Sequence, residues 1–87
     1  MLWKHEPPRL AQREKRRDLL FAMTKGTWRL ECSLLYHGEF GVEAQFTIDG
    51  GLHVARTFPM KALAVAWAES ERRDRREDGW EPGAEAR

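Results

Sequence analysis

Residues 56–72 have the sequence Arg-Thr-Phe-Pro-Met-Lys-Ala-Leu-Ala-Val-Ala-Trp-Ala-Glu-Ser-Glu-Arg. The pattern predicts the end of a strand, a turn and an amphipathic helix. Pro59 marks the turn, because proline has no amide hydrogen for a strand ladder and suits the first turn of a helix. Four apolar residues follow on one helical stripe: Met60, Leu63, Ala64 and Trp67. This stripe must cover an apolar sheet face, and Val65 on the opposite side of the helix is expected to be exposed.

The segments before this stretch alternate between apolar and polar residues, which predicts a meander of strands. A two-residue turn at Lys25-Gly26 gives the first hairpin three apolar pairs: Met23 with Trp28, Phe21 with Leu30, and Leu19 with Cys32. The second hairpin continues that face, with Leu34 opposite Val42, Cys32 opposite Ala44, Leu30 opposite Phe46 and Trp28 opposite Ile48. One set of registers therefore places the apolar residues of three strands on a single face.

The third turn contains Asp49-Gly50-Gly51. We expect a three-residue loop here, because it keeps Leu52, Val54 and Phe58 on the apolar face. The same register places Arg56 on the core side, opposite Ala44. Arg56 is then either an edge arginine that extends its head group to solvent or an inward charge that discourages edge pairing.

The predicted fold class is α+β: a four-stranded antiparallel meander followed by one C-terminal helix packed on one face, with a three-stranded sheet plus helix as the alternative. Residues 19–76 form the single expected domain. Residues 1–18 are a basic arm, either helical or disordered, because they have no apolar stripe. Residues 77–87 read as a frayed tail, and the charged residues beyond Glu71 as a solvated helix end.

The composition bounds the class of protein. A length of 87 residues predicts one domain, and a net charge of +1 does not point to nucleic acid or to membrane. Cys32 is the only cysteine, which excludes an internal disulfide, and its apolar neighbours predict a buried, inert thiol. The chain has no apolar run long enough to span a bilayer, and its first residues lack the apolar region of a secretory signal. We therefore expect a cytoplasmic protein.

Thr57-Phe58-Pro59-Met60-Lys61-Ala62-Leu63-Ala64-Val65-Ala66-Trp67 resembles a segment of the arm-type DNA-binding domain of tyrosine-family phage integrases. In that family a three-stranded sheet ends in a Thr-Phe pair, followed by a turn, a lysine, an alanine-rich turn and a tryptophan. The resemblance covers about residues 56–72 and implies a sheet with one helix across it. It also implies an exposed sheet face that enters the DNA major groove. Small bacterial proteins share the same strand-turn-helix arrangement.

The charges of the predicted sheet argue against insertion into DNA. Between Thr27 and Phe58 two arginines face four acidic residues, which gives −2 (two minus four). The stronger nucleic-acid candidate is the N-terminal arm, where five basic residues and Glu14 give +4 (five minus one). These basic residues are Arg9, Arg13, Lys15, Arg16 and Arg17, with Lys25 and Arg29 as further candidates on the sheet. The alternative is a solubilising tail.

The sequence favours a non-enzymatic interaction module. No two of the three histidines have metal-ligand spacing on one element, and no glycine loop cradles a phosphate, so no cofactor, metal or small-molecule substrate is expected. The two readings are a nucleic-acid-associated regulator that uses the basic arm, and a protein-binding adaptor, inhibitor or homodimeric module. The candidate partner contacts are Tyr36, Phe40 and Val65. The two loop aromatics either anchor a partner or fold back over the open sheet.

Overall fold

A computed structural model describes residues 16–83. These residues form six regular elements: β1 Arg17–Lys25, β2 Trp28–Tyr36, β3 Val42–Ile48, β4 Gly51–Phe58, α1 Lys61–Glu77 and β5 Glu81–Pro82. All strand pairs are antiparallel, in the order β4-β3-β2-β1-β5, and α1 packs on one face. The predicted α+β fold, a meander followed by one helix, is confirmed. Apart from residues 16–18, the predicted N-terminal arm lies outside the described residues.

The first two hairpin registers differ from the prediction by two residues. The first turn is Gly26-Thr27 instead of Lys25-Gly26, so Met23 pairs with Leu30. In the second hairpin Leu30 pairs with Ile48. Because a two-residue shift preserves the side on which a residue lies, most of the predicted apolar face survives. Trp28 is one exception: it sits at the turn, beyond the last pair with β3, and is 56% exposed.

Two bulges move side chains that simple alternation places elsewhere. An extra residue in β1, Leu20, turns towards the core and leaves Leu19 40% exposed. In β4 the extra residue is His53, so Leu52 pairs with Thr47 on the outer face and is 65% exposed. The expectations that Leu19 and Leu52 belong to the apolar face are therefore wrong, because each bulge reverses the alternation beyond it.

The predicted helix stripe is half correct: Ala64 and Trp67 pack on the sheet, but Met60 and Leu63 do not. Ala64 and Ala68 are fully buried, whereas Met60 and Leu63 are 53% and 46% exposed. Small alanine side chains let the helix approach the sheet closely. Val65, expected on the exposed side, is half-buried and packs against the cluster formed by Leu34, Val42, Ala44 and Ala64.

Aromatic rings form the centre of the core. Phe46 meets Phe21 at 5.9 Å between ring centroids and Trp67 at 5.5 Å, both in edge-to-face geometry. Trp67 also lies 5.7 Å from Phe58. The edge position of Arg56 is as predicted: it pairs with Ala44, and its guanidinium lies 5.1 Å from the centre of the Phe58 ring.

The charged half of α1 also covers the sheet. The guanidinium of Arg72 lies 4.6 Å above the Phe21 ring, and that of Arg75 lies 4.6 Å above the Phe46 ring. Both side chains are half-buried, so their stems shield the core while the head groups interact with the ring faces. The prediction of a fully solvated helix end is therefore wrong at these two positions.

Residues 77–83 differ from the expected frayed tail. The helix ends in a Schellman motif, in which the Gly79 amide donates to the Arg76 carbonyl and the Trp80 amide to the Arg75 carbonyl. Gly79 supplies the positive φ of 101° that this motif requires. The chain then returns to the sheet as β5, which pairs with β1 and carries Trp80 onto the core.

Candidate partner-binding groove

A groove opens at the end of the sheet that carries the β1–β2 and β3–β4 turns. It consists of two adjoining hollows of about 620 and 330 Å³, which share Ile48 and Trp80. We call it the tryptophan groove. Its lining residues are Lys25, Trp28, Leu30, Ile48, His53, Asp74, Arg75, Glu77, Asp78 and Trp80. Both volumes fall within the size range of ligand pockets. Four of the lining residues are apolar (Trp28, Leu30, Ile48 and Trp80) and the other six are ionisable.

Three elements hold the groove in place. The two turns are tied by Asp49, whose side chain accepts a hydrogen bond from the Arg29 amide at 2.9 Å and whose own amide donates to the Arg29 carbonyl at 2.8 Å. The Schellman motif orients Trp80 against the core cluster that contains Leu30. The bulge in β4 places His53 among the lining residues, although plain alternation predicts it on the opposite face.

The charges of the groove are unbalanced. Lys25 interacts with Asp78: its Nζ donates to the Asp78 carbonyl oxygen at 2.7 Å and lies 3.7 Å from the Asp78 carboxylate. Arg75 is bound to Glu71 at 2.6 Å, outside the lining. Within residues 16–83 Asp74 and Glu77 form no ion pair, so two carboxylates remain uncompensated.

The helix itself adds negative potential at this point. Because α1 ends at Glu77, its last carbonyl groups point towards the end of the helix next to the groove. A helix C-terminus carries a partial negative charge and favours cations. The Lys25 ammonium already donates a hydrogen bond to one carbonyl at this helix end, that of Asp78. The electrostatics of the groove therefore favour a cationic group over a neutral or acidic one.

The predicted nucleic-acid residues are not brought together by the described part of the fold. Arg9, Arg13 and Lys15 lie outside it. Arg16 donates to Asp18 at 3.1 Å and stacks 4.5 Å above the Tyr36 ring, whereas Arg17 donates to Gln45 on the other face of the sheet. Lys25 and Arg29 lie at the opposite end of the sheet, and Arg29 contacts Glu31 at 3.0 Å. Each of these four basic residues thus has a partner within the chain.

Two of the three predicted partner contacts pack within the chain. Phe40 is 77% exposed in the 3₁₀ turn Gly38–Phe40, whereas Val65 lies on α1 and packs with Tyr36 against the cluster that contains Leu34 and Ala64. Tyr36 is half-buried and its hydroxyl donates to Asp18 at 3.1 Å. The same carboxylate accepts from Arg16, and this hydrogen bond holds the pKa of Asp18 below its usual value, against the opposing effect of burial.

The outer face of the sheet carries a hydrogen-bonded chain of polar groups. Arg17 donates to Gln45 at 3.0 Å, Gln45 donates to Glu43 at 3.1 Å, and the second Glu43 oxygen lies 2.7 Å from His37 Nε2. Burial acts to raise the pKa of Glu43, but the hydrogen bonds from His37 and Gln45 outweigh it, so the pKa is lowered. The Glu43 carboxylate thus forms hydrogen bonds with its neighbours on the sheet. This series of hydrogen-bonded side chains therefore has a structural role.

The single thiol is not arranged for chemistry. Cys32 is fully buried under α1, and burial raises its pKa to about 12. A thiol that stays protonated is a poor nucleophile and a poor metal ligand. Within residues 16–83 no group of three or more His, Cys, Asp or Glu side chains is placed to hold a metal ion. In the same part of the chain no helix has the length and apolar character needed to cross a bilayer.

No protein-family model matches this chain, and neither the curated proteins nor the solved structures contain a match. The candidate site therefore rests on geometry and charge. Sequence reasoning missed the groove because it placed Trp28 in the core and Trp80 in a tail. Two signals for it were present: Gly79 directly after a helical pattern marks a C-terminal cap, and a tryptophan following that cap has to pack against something.

Proposed function

We propose that this protein is a small non-enzymatic interaction module that binds a segment of a partner protein in the tryptophan groove. The observation that carries the proposal is a recess with an exposed tryptophan, Trp28, on one wall and Trp80 packed on the core beside it. Large aromatics in recesses dominate binding energies at protein interfaces. The rigid turns and the capped helix around them favour a preformed site. We assign this action to the cytoplasm, in keeping with a single buried thiol.

A peptide-display experiment tests the proposal. Random peptides are selected on the wild-type protein, and the affinities of enriched peptides are then measured for Trp28→Ala. We expect a loss of about 2 kcal/mol or more, which is roughly 30-fold in Kd. Because Trp28 is half exposed, the variant should keep its fold, and circular dichroism verifies this.

Phe40→Ala is the matched control, since it also removes an exposed aromatic ring but lies outside the groove. Affinities that drop in Trp28→Ala and persist in Phe40→Ala support the proposal. Peptides that depend on Phe40 and tolerate the loss of Trp28 would contradict it and assign binding to the loop between β2 and β3.

A second candidate function is binding of nucleic acid by the basic arm. It is supported by the +4 charge of residues 9–17. In that case the affinity for mixed DNA or RNA falls steeply with salt, and substitution of Arg13, Lys15, Arg16 and Arg17 by alanine abolishes it. A mobility-shift titration at two salt concentrations measures both effects, and an unchanged shift with the four-alanine variant would rule this function out.

A further inference from the structure

We infer that the tryptophan groove selects an arginine side chain of its partner, an inference that rests on the proposed protein-binding function. The groove combines aromatic rings with carboxylates that have no counter-ion in the described part of the chain. Trp28 and Trp80 line the smaller hollow, and Asp74 and Glu77 line the larger one. The two hollows share Ile48 and Trp80, which places them side by side.

Charge complementarity excludes other anchors. Asp74 and Glu77 are exposed, and an apolar side chain bound beside them would displace some of their water without replacing the lost hydrogen bonds. An acidic side chain would add a like charge beside three carboxylates and a helix C-terminus. A cationic side chain would pair with the two carboxylates that Lys25 and Arg75, which are engaged with Asp78 and Glu71, leave without an ion pair.

Arginine fits this recess better than lysine. Its planar guanidinium stacks on indole rings and donates several hydrogen bonds in a fixed fork, whereas lysine is a compact and strongly hydrated point charge. Asp74 and Glu77 are three residues apart on α1 and are therefore neighbours on the helix surface. One guanidinium held near Trp80 can therefore donate to carboxylates on this side of the helix. The chain already uses the same preference internally, because the guanidinium groups of Arg72 and Arg75 lie over aromatic rings.

The inference is tested with blocked glycine peptides that carry one central arginine, lysine or citrulline. Citrulline keeps the shape of arginine but has no charge. Binding is followed through the indole NMR signals of Trp28 and Trp80 at millimolar peptide concentration. We expect the arginine peptide to bind about tenfold more tightly than the citrulline peptide, with lysine between them.

Charge-removing variants supply the matched comparison. Asp74→Asn and Glu77→Gln each lower the affinity for the arginine peptide several-fold and leave the citrulline peptide unaffected. Glu39→Gln is the control, because it removes an exposed carboxylate outside the groove and should change neither affinity.

The outcomes separate this inference from the function on which it rests. Equal affinities for arginine and citrulline, or no response of the tryptophan signals to the arginine peptide, would overturn the inference. Binding of library-selected neutral peptides that is lost in Trp28→Ala would still support the proposed function. If selected peptides bind equally well to Trp28→Ala, the proposed function falls as well.

Discussion

Phe46→Ala lowers the free energy of unfolding by about 3–5 kcal/mol, the typical cost of truncating a buried phenylalanine. Phe46 is fully buried in the interior strand β3 and joins the two layers of the fold. Its ring contacts Phe21 in the sheet and Trp67 in the helix, and Arg75 covers it from above. A small domain has roughly 5–15 kcal/mol of stability in total, so this single change removes a large share of it.

Urea denaturation followed by tryptophan fluorescence and by circular dichroism measures the effect. Phe40→Ala provides the control, because it deletes the same atoms at a position that is 77% exposed and should change stability by less than about 0.5 kcal/mol. A loss below about 1 kcal/mol for Phe46→Ala would contradict the assignment of this ring to the centre of the core.

Gly41→Ala is expected to have the second largest effect. Gly41 has a φ of 105°, a conformation that L-residues adopt at a cost of order 1–3 kcal/mol. It also packs directly beneath the end of β4, where an added methyl group would overlap the Phe58 carbonyl oxygen. The overlap involves backbone, so relief requires the loop or the strand to move. We therefore expect a total loss of about 3 kcal/mol or more.

Gly26→Ala separates the two contributions. Gly26 also has a positive φ, 62°, but nothing lies within 4 Å of an added methyl group. Its substitution should cost about 1 kcal/mol, the conformational part alone. Thermal unfolding of both variants gives the comparison. Equal losses at the two glycines would show that the contact between Gly41 and β4 has no energetic weight.

Much of the sheet was predictable from alternation alone. The predicted register of β3 with β4 is correct from the pair Val42 and Phe58 to the pair Phe46 and Val54. It includes the position of Arg56 opposite Ala44. The predicted registers of the other two hairpins were displaced by two residues. The residues near Gly26 and in the loop at Gly38 are compatible with more than one turn position. Such a displacement leaves each side chain on its own face, which explains why the apolar face was found despite the errors.

The bulges at Leu20 and His53 were not predictable in the same way. A bulge is inserted when packing or twist demands it, and a single alternating sequence carries no mark of the extra residue. The helix face was predicted only in part, at Ala64 and Trp67, for a related reason. Alanine contributes little to the apolar stripe of a helical-wheel projection. Its small size nevertheless decided which side of α1 could approach the sheet, since Ala64 and Ala68 are fully buried.

The candidate site could be predicted least of all. Its tryptophans lie in β2 and after α1, far apart in the chain, and they meet only because the helix cap returns the chain to the sheet. The imbalance of charge is equally hidden, because Asp74 and Glu77 sit among neighbouring arginines in the sequence. Only the three-dimensional arrangement shows that Arg75 donates to Glu71 and forms an ion pair with neither of them.

Residues 56–72 by themselves determined the order of strand, turn and helix, and the alternation before them determined an antiparallel meander. These features follow from local geometry: the absence of an amide hydrogen on proline and the periods of strands and helices. Tertiary structure alone decided which helix face is buried, where the bulges fall and how the groove is assembled. Those outcomes depend on side-chain volume and on pairings between distant residues, which are settled only when the helix packs on the sheet.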